Sequence, residues 1–470
     1  MWLFVLLNCF MQQGIDESDA LKSFRKLHCD ILRDGNTDGH PIVALRVGAG
    51  SAFSDRDISQ LRYFPSLKSL NLSSASKLTD ASAEQLLQLQ NLTTLDLSYS
   101  TTDEGLRVLH HLKRLKHLSL SSTRVSDQGM LTLSALPELE YLDVTNTRIT
   151  DAGLEHLHTL PKLRSLCLYS TSTSAAGVAG LAKVATLSFL KLGGSQVTDD
   201  SIKTLPTYPA LKHLQVMQST ITDAGVAKLS ECLHLKQLDL ANHYDRLTLR
   251  AIKSISEMKG LVGLSLTDMT LGDEDVKAIG SMSALKSLNL CHTGISSASF
   301  AHLKNMPDLR ELYIGNNRDL FELSFLGQFP NLVTLSVSGS EISRWKGLEQ
   351  CARLECLNLE KCLEFQDADL KWIENMPHLR ELYILFTGIT DEGLSNVLRA
   401  HKQLKVLSLN GTITDASVKY IVQNKELRVV DVSRTRITAE GIRRIESMLP
   451  HAQVIRFDTG SVAPELIDVK

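Results

Sequence analysis

The chain has 470 residues, 43% of them hydrophobic, and a formal charge of −3. That near-neutral balance gives no electrostatic reason to expect a nucleic acid or an anionic membrane as partner. Its eight cysteines are scattered without CxxC pairs, which argues against a zinc site or a disulfide framework and suits a reducing compartment.

Residues 2–10 are an apolar run with no basic residue before it and no small-residue cleavage site after it. It is too short to span a bilayer and reads as an N-terminal tail (1–15), with a damaged export or lipoprotein signal as the alternative. The corresponding localisation is cytoplasmic, or exported in the alternative. Residues 16–35 read as one amphipathic helix carrying Leu21, Phe24, Leu27 and Ile31 on one face, followed by a turn cluster over 34–39. Solenoids need a cap over the first repeat's apolar face, and the segment 16–41 is placed to supply it.

From Ile42 a pattern takes over. The spacing Leu-x-x-Leu-x-Leu, as in Leu139, Leu142 and Val144, occurs sixteen times between Leu67 and Leu427, at a mean step of 24 residues. Its alternation is that of a half-buried strand, and the apolar spacing that follows, through Leu154, Leu157 and Leu160, is helical. Each unit is therefore a short strand, a turn, a helix and a return loop. The helix start is legible at Ile149-Thr150-Asp151: Thr150 as N-cap, Asp151 at the positive end of the dipole, Ile149 and Leu154 as a hydrophobic staple. The same triplet recurs at Val125-Ser126-Asp127, Ile221-Thr222-Asp223 and Ile389-Thr390-Asp391, which assigns these acids to structure rather than catalysis. Between Leu309 and Leu379 the steps become irregular and the Thr-Asp caps vanish, predicting short 3₁₀ turns. The 26-residue step from Leu235 to Leu261 carries an extra turn over 242–246. The pattern is lost over 458–470, which reads as a C-terminal tail.

These units resemble the long, roughly 24-residue leucine-rich repeat of the Thr-Asp-x-Gly-Leu type. That type is found in planctomycete-like bacterial repeat proteins and, with a cysteine after the strand, in F-box-associated substrate receptors. The resemblance implies an α/β solenoid over 42–457, a curved right-handed coil of about 17–18 repeats, with parallel strands on the concave face and helices on the convex face. It also implies binding without catalysis. The family's asparagine after the strand appears as Asn317 and its cysteine as Cys362; elsewhere Ser or Thr stands there, as at Thr123, Thr147, Thr171 and Thr293.

Strand alternation turns the residues between the buried leucines outward. Two aromatic groups stand out in a chain only 5% aromatic. The first is Tyr141, Tyr169 and Phe189, rimmed by Asp143 and Lys191. The second is Tyr313, Tyr383 and Phe386 with Glu311 and Glu381. Exposed aromatics with charged rims have the composition of binding hot spots. Other chemistry is weakly signalled. The 48–53 stretch, Gly-Ala-Gly-Ser-Ala-Phe, lacks the third glycine of a phosphate loop. His110-His111 and His156-x-His158 have no third ligand, and Cys167 has no companion base. A basic column, including Lys116, Arg164, Lys212 and Arg380, precedes the strands, with acids nearby to balance it. The function expected is a non-enzymatic scaffold for a protein or peptide partner, without cofactor, metal, nucleic acid or membrane association. The alternatives are a substrate-recognition subunit of a ubiquitin-ligase-type complex, or an exported bacterial surface protein that binds protein or glycan.

Overall fold

The structure, a computed structural model, describes residues 17–34, 39–243, 246–304, 306–409 and 411–456. The expected tails at 1–15 and 458–470, and Tyr244 and Asp245 of the extra turn, lie outside the described residues. The chain divides into two compact units between Ile221 and Thr222.

The first unit opens with helix Glu17–Lys26 and strand β1 (Cys29–Arg33). This corrects the expectation of one helix over 16–35. His28 takes a left-handed conformation, φ 54°, which ends the helix and turns the chain. β1 then pairs antiparallel with β2 (Ile42–Val47), covering backbone groups that a terminal parallel strand would leave open. The helix closes the end of the core: Phe24 is fully buried, its ring centroid 5.8 Å from Phe53 and 5.6 Å from Phe64. Gly48 belongs to this packing, since an added Cβ would lie 2.3 Å from the His28 carbonyl oxygen.

Parallel strands follow, one per repeat: β3 (Ser69–Asn71), β4 (Thr94–Asp96), β5 (His117–Ser119), β6 (Tyr141–Asp143), β7 (Ser165–Cys167), β8 (Phe189–Gly193) and β9 (His213–Met217). The second unit holds β10 (Gln237–Asp239), β11 (Gly263–Ser265), β12 (Ser287–Asn289), β13 (Glu311–Tyr313), β14 (Thr334–Ser336), β15 (Cys356–Asn358), β16 (Glu381–Tyr383), β17 (Val406–Ser408), β18 (Val429–Asp431) and β19 (Gln453–Ile455), also parallel in sequence. Each register is in step, so Leu118, Leu142, Leu166 and Leu190 line up behind one another, all buried. Burying one such side chain contributes about 1.5–3 kcal/mol, and Leu139, Leu142, Val144, Ile149, Leu154 and Leu157 of one repeat are all buried.

The turn after each strand is closed as its hydroxyls suggested. Thr147 Oγ1 donates to the Val144 carbonyl (2.7 Å), and Thr123, Thr171, Thr293 and Thr387 make the equivalent bond. Buried Asn317 takes the same position and joins two repeats: Nδ2 donates to Leu290 and Ile314 carbonyls, and Oδ1 accepts from the Thr293 and Gly294 amides. Cys362 donates its thiol to the Val337 carbonyl (3.3 Å), and buried His243 meets the Leu240 carbonyl through Nδ1 (2.9 Å).

The Thr-Asp motif does more than start a helix. Thr150 caps locally, accepting from the Ala152 amide. Asp127 of the preceding repeat also accepts the Thr150 amide (2.8 Å) on one carboxylate oxygen and its hydroxyl (2.6 Å) on the other. The same clamp joins Asp55 to Thr79, Asp80 to Thr102, Asp103 to Ser126 and Asp151 to Ser174 in the first unit. In the second it joins Asp223 to Thr248, Asp367 to Thr390, Asp391 to Thr414 and Asp415 to Thr438. The motif's glycine makes room for it. A Cβ added to Gly153 would lie 2.4 Å from Asp127 Oδ1, and Gly105, Gly129, Gly177, Gly393 and Gly441 face their preceding Asp as closely. Where Ala175 replaces the acid, the Thr198 amide turns to Ser201 Oγ instead (3.2 Å).

The irregular stretch after Leu309 forms 3₁₀ turns at Ser324–Gln328, Leu348–Gln350 and Asp367–Trp372, as the spacing predicts. Aromatic contacts fill the shortened helical side: Phe300 stacks on Phe325 (3.8 Å) and Trp345 meets Phe365 edge-on (4.7 Å).

Candidate functional site

Two columns of side chains run across the strands of the first unit, about 4.8 Å apart from strand to strand. One contains Thr94, His117, Tyr141, Ser165, Phe189 and His213; the other Asp96, Ser119, Asp143, Cys167, Lys191 and Gln215.

The second column has a structural duty that alternation alone does not reveal. Asp143 Oδ1 accepts the Thr145 amide (2.8 Å), and Asn71, Asp96, Asp239, Asn289, Asn358 and Asp431 each accept the amide two residues on. This is the Asx turn, and it leads into a left-handed residue such as Tyr99, Asn146, Asn242, His292 or Lys361. Asp143, expected as a rim group for a partner, thus holds its own turn with one oxygen.

Three consecutive strands of the first unit abandon that device. Cys167, Lys191 and Gln215 occupy its position on β7, β8 and β9. There the strands change too: β8 and β9 run five residues, against three in β3 to β7, and stay paired through Gly193 and Met217. Gly193 is needed because the Tyr169 ring lies on it; an added Cβ would sit 2.4 Å from that ring. The Tyr169 hydroxyl donates to the Gln218 side-chain carbonyl, and Lys191 Nζ stands 5.9 Å from the ring centroid.

Tyr141 and Phe189 share the first column with Ser165 between them, so they lie about 10 Å apart. Each has a histidine neighbour instead of the other: His117 is 6.1 Å from Tyr141, and His213 meets Phe189 edge-on at 6.5 Å. Both aromatic rings are half-buried. The structure therefore places Lys191 beside the Tyr169 ring just past the end of β7, with Phe189 two residues earlier on β8 and Tyr141 two strands away from Phe189. Burial, with the Lys212 charge secondary, lowers the His213 pKa, so its ring is neutral at pH 7.

Cys167, expected to face outward, is buried, and its thiol contacts the Tyr141 hydroxyl at 3.7 Å. Burial, aided by Asp143, pushes that thiol up to about 12, so at neutral pH it is not a nucleophile. Among the described residues no group of His, Cys, Asp and Glu is arranged to hold a metal ion.

In the second unit the expected group is spread out. Glu311 and Tyr313 on β13 are separated from Glu381 and Tyr383 on β16 by two intervening strands, about 14 Å in all. Cys356 stands between Thr334 and Glu381; burial first, then Glu381, pushes its thiol up to about 12. The Tyr383 hydroxyl donates to Glu381 (3.1 Å). Phe386 is exposed in a left-handed turn, φ 56°, under the Arg434 guanidinium at 5.4 Å. Ser336 and Ser408, expected on the outward face, are buried. The basic column is partly paired, Lys116 with Glu140 (2.9 Å) and Arg380 with Glu355 (3.6 Å).

The sequence matches the family described as "Leucine-rich repeat region" over residues 51–338, and "Leucine Rich repeat" again over 375–398. The chain belongs to the leucine-rich repeat family. No curated protein matches it. Similar solved structures include TLR13 in a complex with ssRNA13, at 18% identity and TM-score 0.47, covering 80% of this chain; this chain spans 64% of that one. An internalin from Listeria monocytogenes is similar at 17% identity and TM-score 0.31, covering 94% of this chain and 95% of its own. A leucine-rich repeat protein of Leptospira interrogans is similar at 20% identity and TM-score 0.35, over 85% and 91%. Leucine-rich repeat arrays typically serve as binding scaffolds, their stacked strands forming an extended surface for another molecule. No helix among the described residues is long and apolar enough to cross a membrane.

Proposed function

We propose that this leucine-rich repeat protein is a non-enzymatic scaffold that holds a partner protein or peptide on the strand face of its first unit. The seat is Phe189, Lys191 and Tyr169, with Tyr141 and Asp143 at its margin. The observation that carries the reading is the coincidence at β7 to β9 of three departures from the repeat's own rules. The Asx turn is abandoned three times running, β8 and β9 lengthen, and the Asp clamp lapses at Ala175. Natural sequences break local structural rules where function demands it. The group at Glu311, Tyr313, Glu381, Tyr383 and Phe386 is the alternative seat.

The test is affinity isolation with the full chain, followed by the same isolation with Phe189→Ala and Tyr383→Ala. A partner lost with the first variant and kept with the second supports the first unit's face. The reverse pattern moves the site to the second unit, and a partner indifferent to both removes the strand face as the binding surface.

A further inference from the structure

The β7 to β9 face has a charge character of its own. The strands with their flanks, residues 163–171, 187–196 and 211–219, contain no Asp or Glu, while they contain Arg164, Lys191 and Lys212. From β3 to β9, Lys191 is the one cation in its column, between Cys167 and Gln215. The Tyr169 ring lies beside it, and among the described residues no carboxylate pairs with it. Phe189, two residues before it, presents a half-buried ring on the same strand. Lys191 is itself half-buried beside one aromatic ring, and an ammonium partly withdrawn from water attracts an anion more strongly.

We propose that β7 to β9 seat an acidic segment of a partner protein, one carboxylate lying at Lys191 and an apolar side chain lying against Phe189. This rests on the binding role argued above and names the chemistry of the partner. Asp96 and Asp143, on β4 and β6, bound the seat on one side. Asp143 is two strands from Lys191, about 10 Å, roughly a Debye length at physiological salt. It therefore turns an acidic segment away from β4 to β6 without cancelling Lys191.

Two soluble probes test the assignment with the full chain: a random Glu–Tyr copolymer and a Lys–Tyr copolymer of the same length, followed by fluorescence anisotropy. The Glu–Tyr probe is expected to bind about tenfold tighter than the Lys–Tyr probe, and high salt is expected to weaken it. Lys191→Glu should erase the preference. Lys286→Glu, the same reversal at an exposed lysine before β12, should leave it intact. Unfolding curves of the Lys191→Glu variant that match the parent show that the fold is kept. Equal binding of the two probes, a preference for Lys–Tyr, or indifference to Lys191→Glu would each overturn the proposal. A captured partner released by Phe189→Ala but not by Lys191→Glu would overturn the acidic assignment and leave the scaffold role standing. A partner retained by both variants would remove the scaffold's seat itself.

Discussion

Gly153 shows how far one residue's role depends on the repeat before it. In an isolated helix, alanine in its place would be favourable by about 1 kcal/mol. Here the new methyl would meet Asp127 Oδ1, so Gly153→Ala should instead destabilise the first unit by about 1–3 kcal/mol. Combining it with Asp127→Ala should cost less than the two changes summed, and a double-mutant cycle in urea measures the coupling; strict additivity would contradict the clamp. Thr150→Ala removes both a cap and the donor to Asp127. Its expected loss is about 1–2 kcal/mol. His243 makes a different kind of test. Burial lowers its pKa below the ordinary 6.5, so below that pH the unfolded chain binds a proton that the folded chain refuses. Stability should therefore fall as pH drops from about 6.5 toward the folded pKa, and be independent of this group above it. Buried His401 acts in the same direction. His243→Asn, which places there the side chain that Asn317 uses, should flatten the slope; urea midpoints across that pH range would show an unchanged slope if His243 were not responsible.

At the scale of the element, the clamp makes neighbouring helices cooperate. Each Asp has one oxygen on the next repeat's amide and the other on its hydroxyl, and such charge-assisted bonds are stronger than neutral ones. The link is absent at Ala175, where Thr198 and Ser201 of the next repeat are left to bond each other. In the second unit Asp391 accepts from both Thr414 and Ser417, residues placed as Thr198 and Ser201 are. Ala175→Asp should therefore create the missing link and stabilise the first unit by about 1 kcal/mol, with slower hydrogen exchange at the Thr198 amide. An unaltered exchange rate would mean that the repeats at Ala175 are not in clamp register.

For the molecule as a binding protein, the strand face matters more than the core. Truncating Phe189 or Tyr169 to alanine should weaken a partner held on the first unit by about 1–3 kcal/mol. Neither ring fills the leucine core, so unfolding midpoints should change little; isothermal titration beside urea melts separates the two effects. Tyr141→Ala should cost less, because Ser165 separates Tyr141 from Phe189 and its hydroxyl is engaged with the Cys167 thiol. Equal losses at Tyr141 and Phe189 would shift the centre of the seat to β6.

The amino-acid sequence by itself determined the repeat, the strand and helix of each unit, the buried leucines and the N-caps. Those features depend on residues close in the chain, so Leu142 and Thr150 carry their own signal. The Asx turn at Asp143 was equally local and could have been read from an Asp or Asn two residues before the turn amide. The absence of acids around Phe189 and Lys191 was also open to inspection. What tertiary structure decided lies between repeats. Asp127 meets Thr150 at a separation of 23 residues, and only the in-step stacking of strands brings the two together. The antiparallel strand at Cys29–Arg33 forms because β2 offers it an edge, which helical periodicity over 16–35 could not show. Tyr169 leans across Gly193 toward Gln218 rather than joining Tyr141, because the glycine on the next strand leaves space for a ring. A side chain's neighbours on a stacked sheet come from other repeats, and register, not spacing along the chain, selects them.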